Sequence, residues 1–520
     1  VGLVVLWTTS SHGILPACSY RIAPHYSMTS SRCTPMTGRT SHAGMNMMST
    51  SISFEEDAGE PQTTMIIGKK KALQEFSLSD ELVLDRETVE AVMDAIDEPS
   101  GSASTFTKKH KVVIGLIPDV VSRNNHPWSV HSITDMVSSN IPKGQSSRLI
   151  FVGRDAVEYQ GALSIAVAKA FPTYSHKTTS TSRKEGNDEE SATKTSRNIH
   201  ITFRDDSGKP LPTDPQANKA ALAAIEGVQL AARLVDMTPE ELTTAAYSAE
   251  CRQIADSLEG VTMTEIVGEE LKTRGYGGIY GVGKAAVSPP RLVILEYTPP
   301  DNREVEQPVV LVGKAIVYDT GGLSLKSKDG MSGMKSDMGG SAALLGGFVS
   351  AVKTGYPKKL VLLMCMAENA IGPGAFRNDD ILTLYSGKTV EVNNCDAEGR
   401  LVLGDGVAHA TKHYNPSLVI DMATLTGAQM VATGKKHAGI LANKAELELQ
   451  AVAAGLKSGD LNYPLLYAPE LLKSEFNSKV ADMKNSVKDR GNAQTSCAGH
   501  FIESHLDEGF EGGWIHCDMA

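Results

Sequence analysis

The sequence predicts an α/β protein: a smaller N-terminal α/β domain followed by a larger C-terminal α/β domain with a mostly parallel central sheet. Three observations predict it. Short, continuous apolar runs recur along the chain, as strands buried on both faces require. Helical stretches fall between them, the alternation that parallel pairing needs. The chain has 520 residues, enough for two or three domains and a large core.

Taken in order, residues 1–54 stand apart. They contain no Asp or Glu and only three Arg, they are rich in Ser, Thr and Met, and the chain begins at Val1. The segment reads equally as a transit peptide or as translated sequence ahead of a start at Met28, Met36, Met45, Met47 or Met48. Either way it is set outside the folded domains. Residues 55–225 are the expected N-terminal domain. Its strands are K-V-V-I-G-L-I-P (111–118), R-L-I-F-V-G (148–153) and H-I-T-F (200–203), with a helix over 162–171. The polar run 175–198 has almost no apolar residue to pack and is expected to be a solvated loop or disordered insert. A long helical stretch, 217–235, marks the boundary, and 226–520 form the second domain. Its expected strands are 291–297, 308–314, 359–369 and 417–427, with helices over 342–352 and 403–412.

Composition narrows the function. The net charge of -11 and pI of about 5.7 argue against nucleic-acid binding, which favours basic patches. No apolar run approaches the roughly 20 residues of a membrane helix. Seven widely spaced cysteines, odd in number and without a C-x-x-C, read as free thiols in a reducing compartment. The expected location is the cytoplasm, or the mitochondrion if the first segment is a transit peptide.

Two charged clusters interrupt the apolar second domain. In N-N-C-D-A-E-G-R-L (393–401), Asp396, Glu398 and Arg400 alternate, so an extended segment would put them on one face. In V-G-K-A-I-V-Y-D-T-G-G-L-S-L-K-S-K-D-G-M-S-G-M-K-S-D-M-G-G (312–340), Lys314 and Asp319 bracket a strand end and Asp337 precedes a helix. Four buried carboxylates, Asp319, Asp337, Asp396 and Glu398, would repel one another and resist ionisation. Two divalent cations would remove that cost, and hard or borderline metals prefer such oxygens. Arg400 would then hold an anion or developing oxyanion, and an inward-pointing Lys326 would polarise a carbonyl. A salt-bridged network of the same lysines, arginine and acids fits the spacing equally well. Other motifs fall away. S-G-K-T (386–389) lacks the glycine a phosphate loop needs at 382, which is Leu, and G-V-G-K-A-A (281–286) precedes a strand instead of following one. No H-E-x-x-H or G-x-S-x-G is present. Cys395 has no histidine close in sequence and reads as a small buried residue.

N-C-D-A-E-G-R-L closely resembles the N-T-D-A-E-G-R-L signature of the leucyl (cytosol) aminopeptidase family. V-G-K-A-I-V-Y-D-T-G-G-L-S-L-K, M-K-S-D-M-G-G-S-A-A, D-M-A-T-L-T-G-A (421–428) and W-I-H-C-D-M-A resemble its other blocks, and Y-S-G-K-T-V-E-V-N-N and A-D-M-K-N-S-V-K-D-R resemble its animal branch. The resemblance covers roughly 225–520. It implies a two-metal exopeptidase that releases N-terminal residues, leucine-like ones preferred, from peptides. One ion, Zn²⁺ or Mn²⁺, would be held by Asp319, Asp396 and Glu398. The other would be held by a neutral Lys314 with Asp319, Asp337 and Glu398. Lys326 and Arg400 match the family's catalytic pair, with bicarbonate on Arg400 as general base. Met334, Thr424, Gly427 and Ala520 match its side-chain pocket. The resemblance also implies a homohexamer and some tens of residues beyond Ala520. Cys395 departs from the usual Thr and adds a site open to oxidation. The rival expectation is a catalytically weak or inactive scaffold on the same fold.

Overall fold

A computed structural model describes residues 50–54, 61–76, 86–96, 99–107, 110–142, 144–177, 197–300 and 307–519. Most of the expected leader and most of the polar 175–198 stretch lie outside these, as does Ala520.

The first sheet holds six strands: β1 (Thr50–Ser53), β2 (Thr63–Lys69), β3 (Gly101–Phe106), β4 (Lys111–Ile117), β5 (Ser146–Val152) and β6 (Arg197–Arg204), ordered β1-β6-β5-β2-β4-β3. All neighbours run parallel except the edge strand β3. β1 corrects the reading of 1–54 as wholly outside the fold, because Thr50–Ser53 pair with Arg197–His200. The signal was missed because T-S-I-S buries one apolar side chain, Ile52.

The helix Pro215–Asp236 joins the two halves. Asp214 caps it, accepting the Gln216 N–H at 3.2 Å, and Pro215 suits its first turn. Ala224, Ile225 and Val228 pack into the N-terminal core, and Leu234 into the core of the second domain. The expected boundary at 225/226 therefore falls inside a continuous helix. It crosses the helix Gly339–Lys353 at a point with no side chain between them: a Cβ on Gly227 would sit 2.4 Å from the Gly346 carbonyl oxygen. Ser350 Oγ fastens the crossing by donating to the Ala223 carbonyl at 2.8 Å.

The second sheet has eight strands: β7 (Val261–Val267), β8 (Arg291–Tyr297), β9 (Val309–Asp319), β10 (Leu360–Asn369), β13 (Leu418–Ala423), β14 (Ala438–Ala442), β15 (Asn462–Pro464) and β17 (Gly513–Asp518). The order is β15-β14-β17-β13-β9-β10-β8-β7. The four central strands, β17, β13, β9 and β10, are mutually parallel, while antiparallel pairs lie outside them. β11 (Ile381–Thr383), β12 (Thr389–Glu391) and β16 (Met483–Lys484) make a small separate sheet. The alternation of a strand divides β9 and β10 between two cores. Leu311, Leu360 and Leu362 face the Gly339–Lys353 helix side, and Val310, Val312, Val361 and Leu363 face the helix Gly399–Tyr414 side. Helices thus cover both faces, and the carboxyl ends of the parallel strands are left for chemistry. No helix among the described residues is long and apolar enough to cross a membrane.

Candidate metal centre

β9 delivers the first two charged side chains. Lys314 and Asp319 are five residues apart, which in a regular strand points them to opposite faces. The pairing with β10 shifts between Ala367–Ile316 and Asn369–Asp319, so β9 carries one extra residue there. This bulge brings Asp319 round to the side of Lys314. Gly321 and Gly322, at φ +82° and +59°, then reverse the chain. The Gly321 N–H donates to Asp319 Oδ1 at 2.9 Å, and the Lys326 N–H donates to the Thr320 carbonyl at 3.0 Å. The returning loop carries Lys326 Nζ to 2.8 Å from Asp319 Oδ2 and 2.5 Å from Asp396 Oδ1. Lys326 therefore points toward these two carboxylates.

Asp337 ends a short 3-10 turn, Met334–Ser336, just before the helix Gly339–Lys353. Its Oδ1 accepts from Lys314 Nζ at 2.7 Å and from Thr424 Oγ1 at 2.8 Å. Lys314 Nζ also reaches Glu398 Oε1 at 3.0 Å and donates to the Thr424 carbonyl at 2.8 Å.

The 393–400 stretch is not extended, which corrects the one-face reading. Residues 395–396 form a turn, Glu398 is already helical at φ -79°, ψ -35°, and the helix Gly399–Tyr414 starts directly after it. Alternation in sequence here encodes a turn entering a helix, so Arg400 lies in the first helical turn instead of beside Asp396 on a strand. Gly399 faces Lys314: a Cβ there would meet Lys314 Cε at 2.6 Å. The missing side chain at Gly399 is what admits the lysine.

Three carboxylates, Asp319, Asp396 and Glu398, offer ligand atoms that all lie within 4.8 Å of one another. Asp337 reaches the cluster through Lys314. Glu398 Oε2 and Asp337 Oδ2 are buried without a hydrogen-bond partner. Acceptor-only oxygens in that condition are costly unless a cation meets them. The donor set, carboxylate oxygens and one amine, suits divalent ions, so these residues fit the metals the family resemblance implies.

Electrostatics agree. Burial, then the neighbouring Asp319, pushes the Glu398 carboxyl up to about 8. Burial pushes Asp337 up to about 6 and also raises Asp396. Burial opposes the Lys314 charge, but Asp337, Glu398 and Asp319 outweigh it and raise its pKa. A neutral Lys314 thus requires further positive charge at the same carboxylates. Burial lowers Arg400 to about 10 against the pull of Glu398 and Asp518.

Sequence reasoning missed two supports. Asn369 Nδ2 donates to Asp319 Oδ1 at 2.8 Å and to the Cys395 carbonyl at 3.1 Å, tying the two clusters together. Asn485 Nδ2 donates to the Asn394 and Ala397 carbonyls at 2.7 and 3.2 Å, and its Oδ1 accepts from the Asn393 N–H at 3.0 Å. The only available signal was a polar residue closing an apolar strand in M-A-E-N. Thr424, expected in the substrate pocket, has its hydroxyl on Asp337. Met334 and Thr424 are half-buried, and Gly427 is exposed with open space where a side chain would stand. Cys395 is buried, its thiol pushed up by burial and directed at the Phe376 carbonyl and Asn378 Oδ1, 3.5 and 3.4 Å away. It behaves as the small buried residue expected.

Comparison with known proteins agrees with this geometry. Residues 229–520 match the model of the cytosol aminopeptidase family, catalytic domain, and 62–180 match M17 aminopeptidase N-terminal domain 2. The chain is similar to the probable aminopeptidase NPEPL1 of Mus musculus, 48% identical over 78% of this chain and 75% of that protein. It is 36% identical to leucine aminopeptidase 1 of Caenorhabditis elegans, over 89% and 91% of the two chains. Among solved structures, the leucyl aminopeptidase of Trypanosoma cruzi superposes with a TM-score of 0.78 at 40% identity, over 91% and 93% of the chains. That of Trypanosoma brucei in complex with bestatin superposes at 0.75 and 38%, over 88% and 87%. The bulged strand, the converging carboxylates and these matches agree: the chain belongs to the cytosol aminopeptidase family.

Proposed function

We propose that this chain is a metal-dependent aminopeptidase that hydrolyses the first peptide bond of substrates with a free N-terminus. The observation that carries the reading is the convergence of Asp319, Asp396 and Glu398 beside two buried, unpartnered carboxylate oxygens. Asp319, Asp396 and Glu398 would hold one divalent ion, Zn²⁺ or Mn²⁺, and Lys314, Asp319, Asp337 and Glu398 the second. Ions bound there supply Lewis acidity toward a carbonyl and a lowered pKa for water.

The chain's own residues do the rest. Asp319 and Asp396 hold the Lys326 ammonium beside the carboxylate cluster, and its third proton is the one it would donate to a developing oxyanion. Arg400, buried in the first turn of its helix, would hold an anion such as bicarbonate, which would supply a general base beside the ions. Met334, Thr424, Gly427 and Ala520 would line the side-chain pocket, and the flexible, apolar Met334 suits leucine-like residues. An assembly of six copies acting on peptides completes the reading. The five cysteines among the described residues are free and buried, which supports a reducing compartment, the cytoplasm. The converging carboxylates and membership of the cytosol aminopeptidase family support an active enzyme over an inactive scaffold.

The test is hydrolysis of a chromogenic leucyl amide by the full chain with Mn²⁺ or Zn²⁺, beside the N-acetylated amide. Turnover of the free amine alone is expected. A folded, metal-loaded protein that cleaves neither would overturn the assignment.

A further inference from the structure

Asp518 closes β17, and its carboxylate is committed to the loop that follows β13. Its Oδ1 accepts from the backbone N–H groups of Leu425 and Thr426, both at 3.2 Å, and its Oδ2 accepts from Thr426 Oγ1 at 2.7 Å. β13 and β17 pair in parallel with Ala423 opposite Asp518, so the clamp sits where the two strands end together. Thr426 is itself buried, and its Oγ1 lies 3.0 Å from Thr495 Oγ1. Two residues back, the same pair of strands is locked by Asp421, which meets His516 Nδ1 at 2.5 Å and Trp514 Nε1 at 2.8 Å.

The clamped loop is the one that touches the charged site. The Thr424 carbonyl receives Lys314 Nζ, and the Thr424 hydroxyl donates to Asp337. The other side of the site has a separate support, because Asn485 holds the 393–397 turn that carries Asp396. The two halves of the cluster are therefore fastened by different residues on different elements.

We propose that Asp518 is a positioning residue for one half of the site. Through the 424–426 loop it fixes Lys314 and Asp337, and so sets the affinity of the ion they hold while leaving the ion on Asp396 unaffected. This rests on the two-ion reading above.

The test uses the full chain as wild type, Asp518→Asn and Thr426→Val, stripped with chelator and titrated with Mn²⁺. Elemental analysis gives ions per chain, and far-UV circular dichroism verifies the fold. Wild type is expected to take two ions. Asp518→Asn is expected to lose about tenfold or more in affinity for one, from the lost charge-assisted hydrogen bond, and to hold the other within about twofold. Thr426→Val removes one donor and is expected to move the same ion in the same direction by less. A residue that merely stabilised the fold would loosen both ions together. Two ions in wild type with either folded variant binding both as tightly, or loosening both equally, would overturn the inference and leave the two-ion reading standing. If Asp518→Asn does not fold, Thr426→Val decides alone. A wild-type protein that takes fewer than two ions would overturn both.

Discussion

Gly399→Ala tests how tightly the centre is built. In most helices this change is favourable by about 1 kcal/mol. Here an added Cβ would stand 2.6 Å from Lys314 Cε and 2.8 Å from its Nζ, where ordinary contact starts at 3.4 Å. Lys314 must yield by the difference, 3.4 minus 2.6, about 0.8 Å. It has little freedom to do so, because Nζ is held by Asp337 at 2.7 Å, Glu398 at 3.0 Å and the Thr424 carbonyl at 2.8 Å. A shift of that size takes at least one of these bonds out of range. A lost charge-assisted hydrogen bond costs about 1.5–3 kcal/mol and overpacking costs a similar amount. After the helix-propensity gain of about 1 kcal/mol the two costs together leave a net stability loss of about 2–5 kcal/mol, and displacing the amine is expected to weaken Mn²⁺ binding by about tenfold or more. Gly427→Ala is the control: nothing lies within 4 Å of its Cβ position, so stability is expected to stay within about 0.5 kcal/mol of wild type. Thermal unfolding of the stripped proteins and Mn²⁺ titration make the comparison. A Gly399→Ala protein as stable and as tightly metal-binding as wild type would refute the reasoning.

Further outcomes follow from the same geometry. Asp396→Asn and Glu398→Gln are each expected to leave fewer than two ions per chain by elemental analysis, and two ions retained in either would refute the ligand assignment. Lys326→Met is expected to keep both ions and lower kcat by about 10²–10³-fold, the usual effect of losing one oxyanion donor; an unchanged kcat removes Lys326 from the chemistry. The stripped protein is expected to lose stability as pH rises from 4.5 toward 8, because unfolded Glu398 gives up its proton near 4.5 while the folded carboxyl keeps it to about 8. Its contribution is fully present below pH 4.5. Metal binding needs the ionised form, so the rise in Tm on adding Mn²⁺ is expected to grow across pH 6–8. A metal-induced shift that is flat across that range would contradict the placement of Glu398.

Much of this was legible in the sequence where burial is two-sided. R-L-V-I-L-E-Y became β8 without adjustment, and the runs 308–314, 359–369 and 417–427 became three of the four central parallel strands, β17 being the one not expected. Edge and short strands such as Thr50–Ser53 and Asn462–Pro464 bury too few apolar side chains to leave a pattern. Among the site residues, Lys314, Asp319, Asp337 and Glu398 were visible as charges placed among apolar residues, and the structure buries all four. What stayed hidden was geometry. Spacing places Lys314 and Asp319 on opposite faces, and only a bulge reunites them. Spacing also makes 396–400 look like a strand, yet the chain turns there into a helix. Asn369 and Asn485 carry no charge signal, and their importance lies in contacts across 50 and about 90 residues of chain.

The central claim, two metal ions among Lys314, Asp319, Asp337, Asp396 and Glu398, is tested most directly by anomalous diffraction from crystals of the Mn²⁺-loaded protein. The account predicts two peaks about 3.5–4 Å apart, one against Asp396 and the other against Lys314 and Asp337, with Asp319 and Glu398 between them. A single peak, or none at these residues in a loaded crystal, would contradict it.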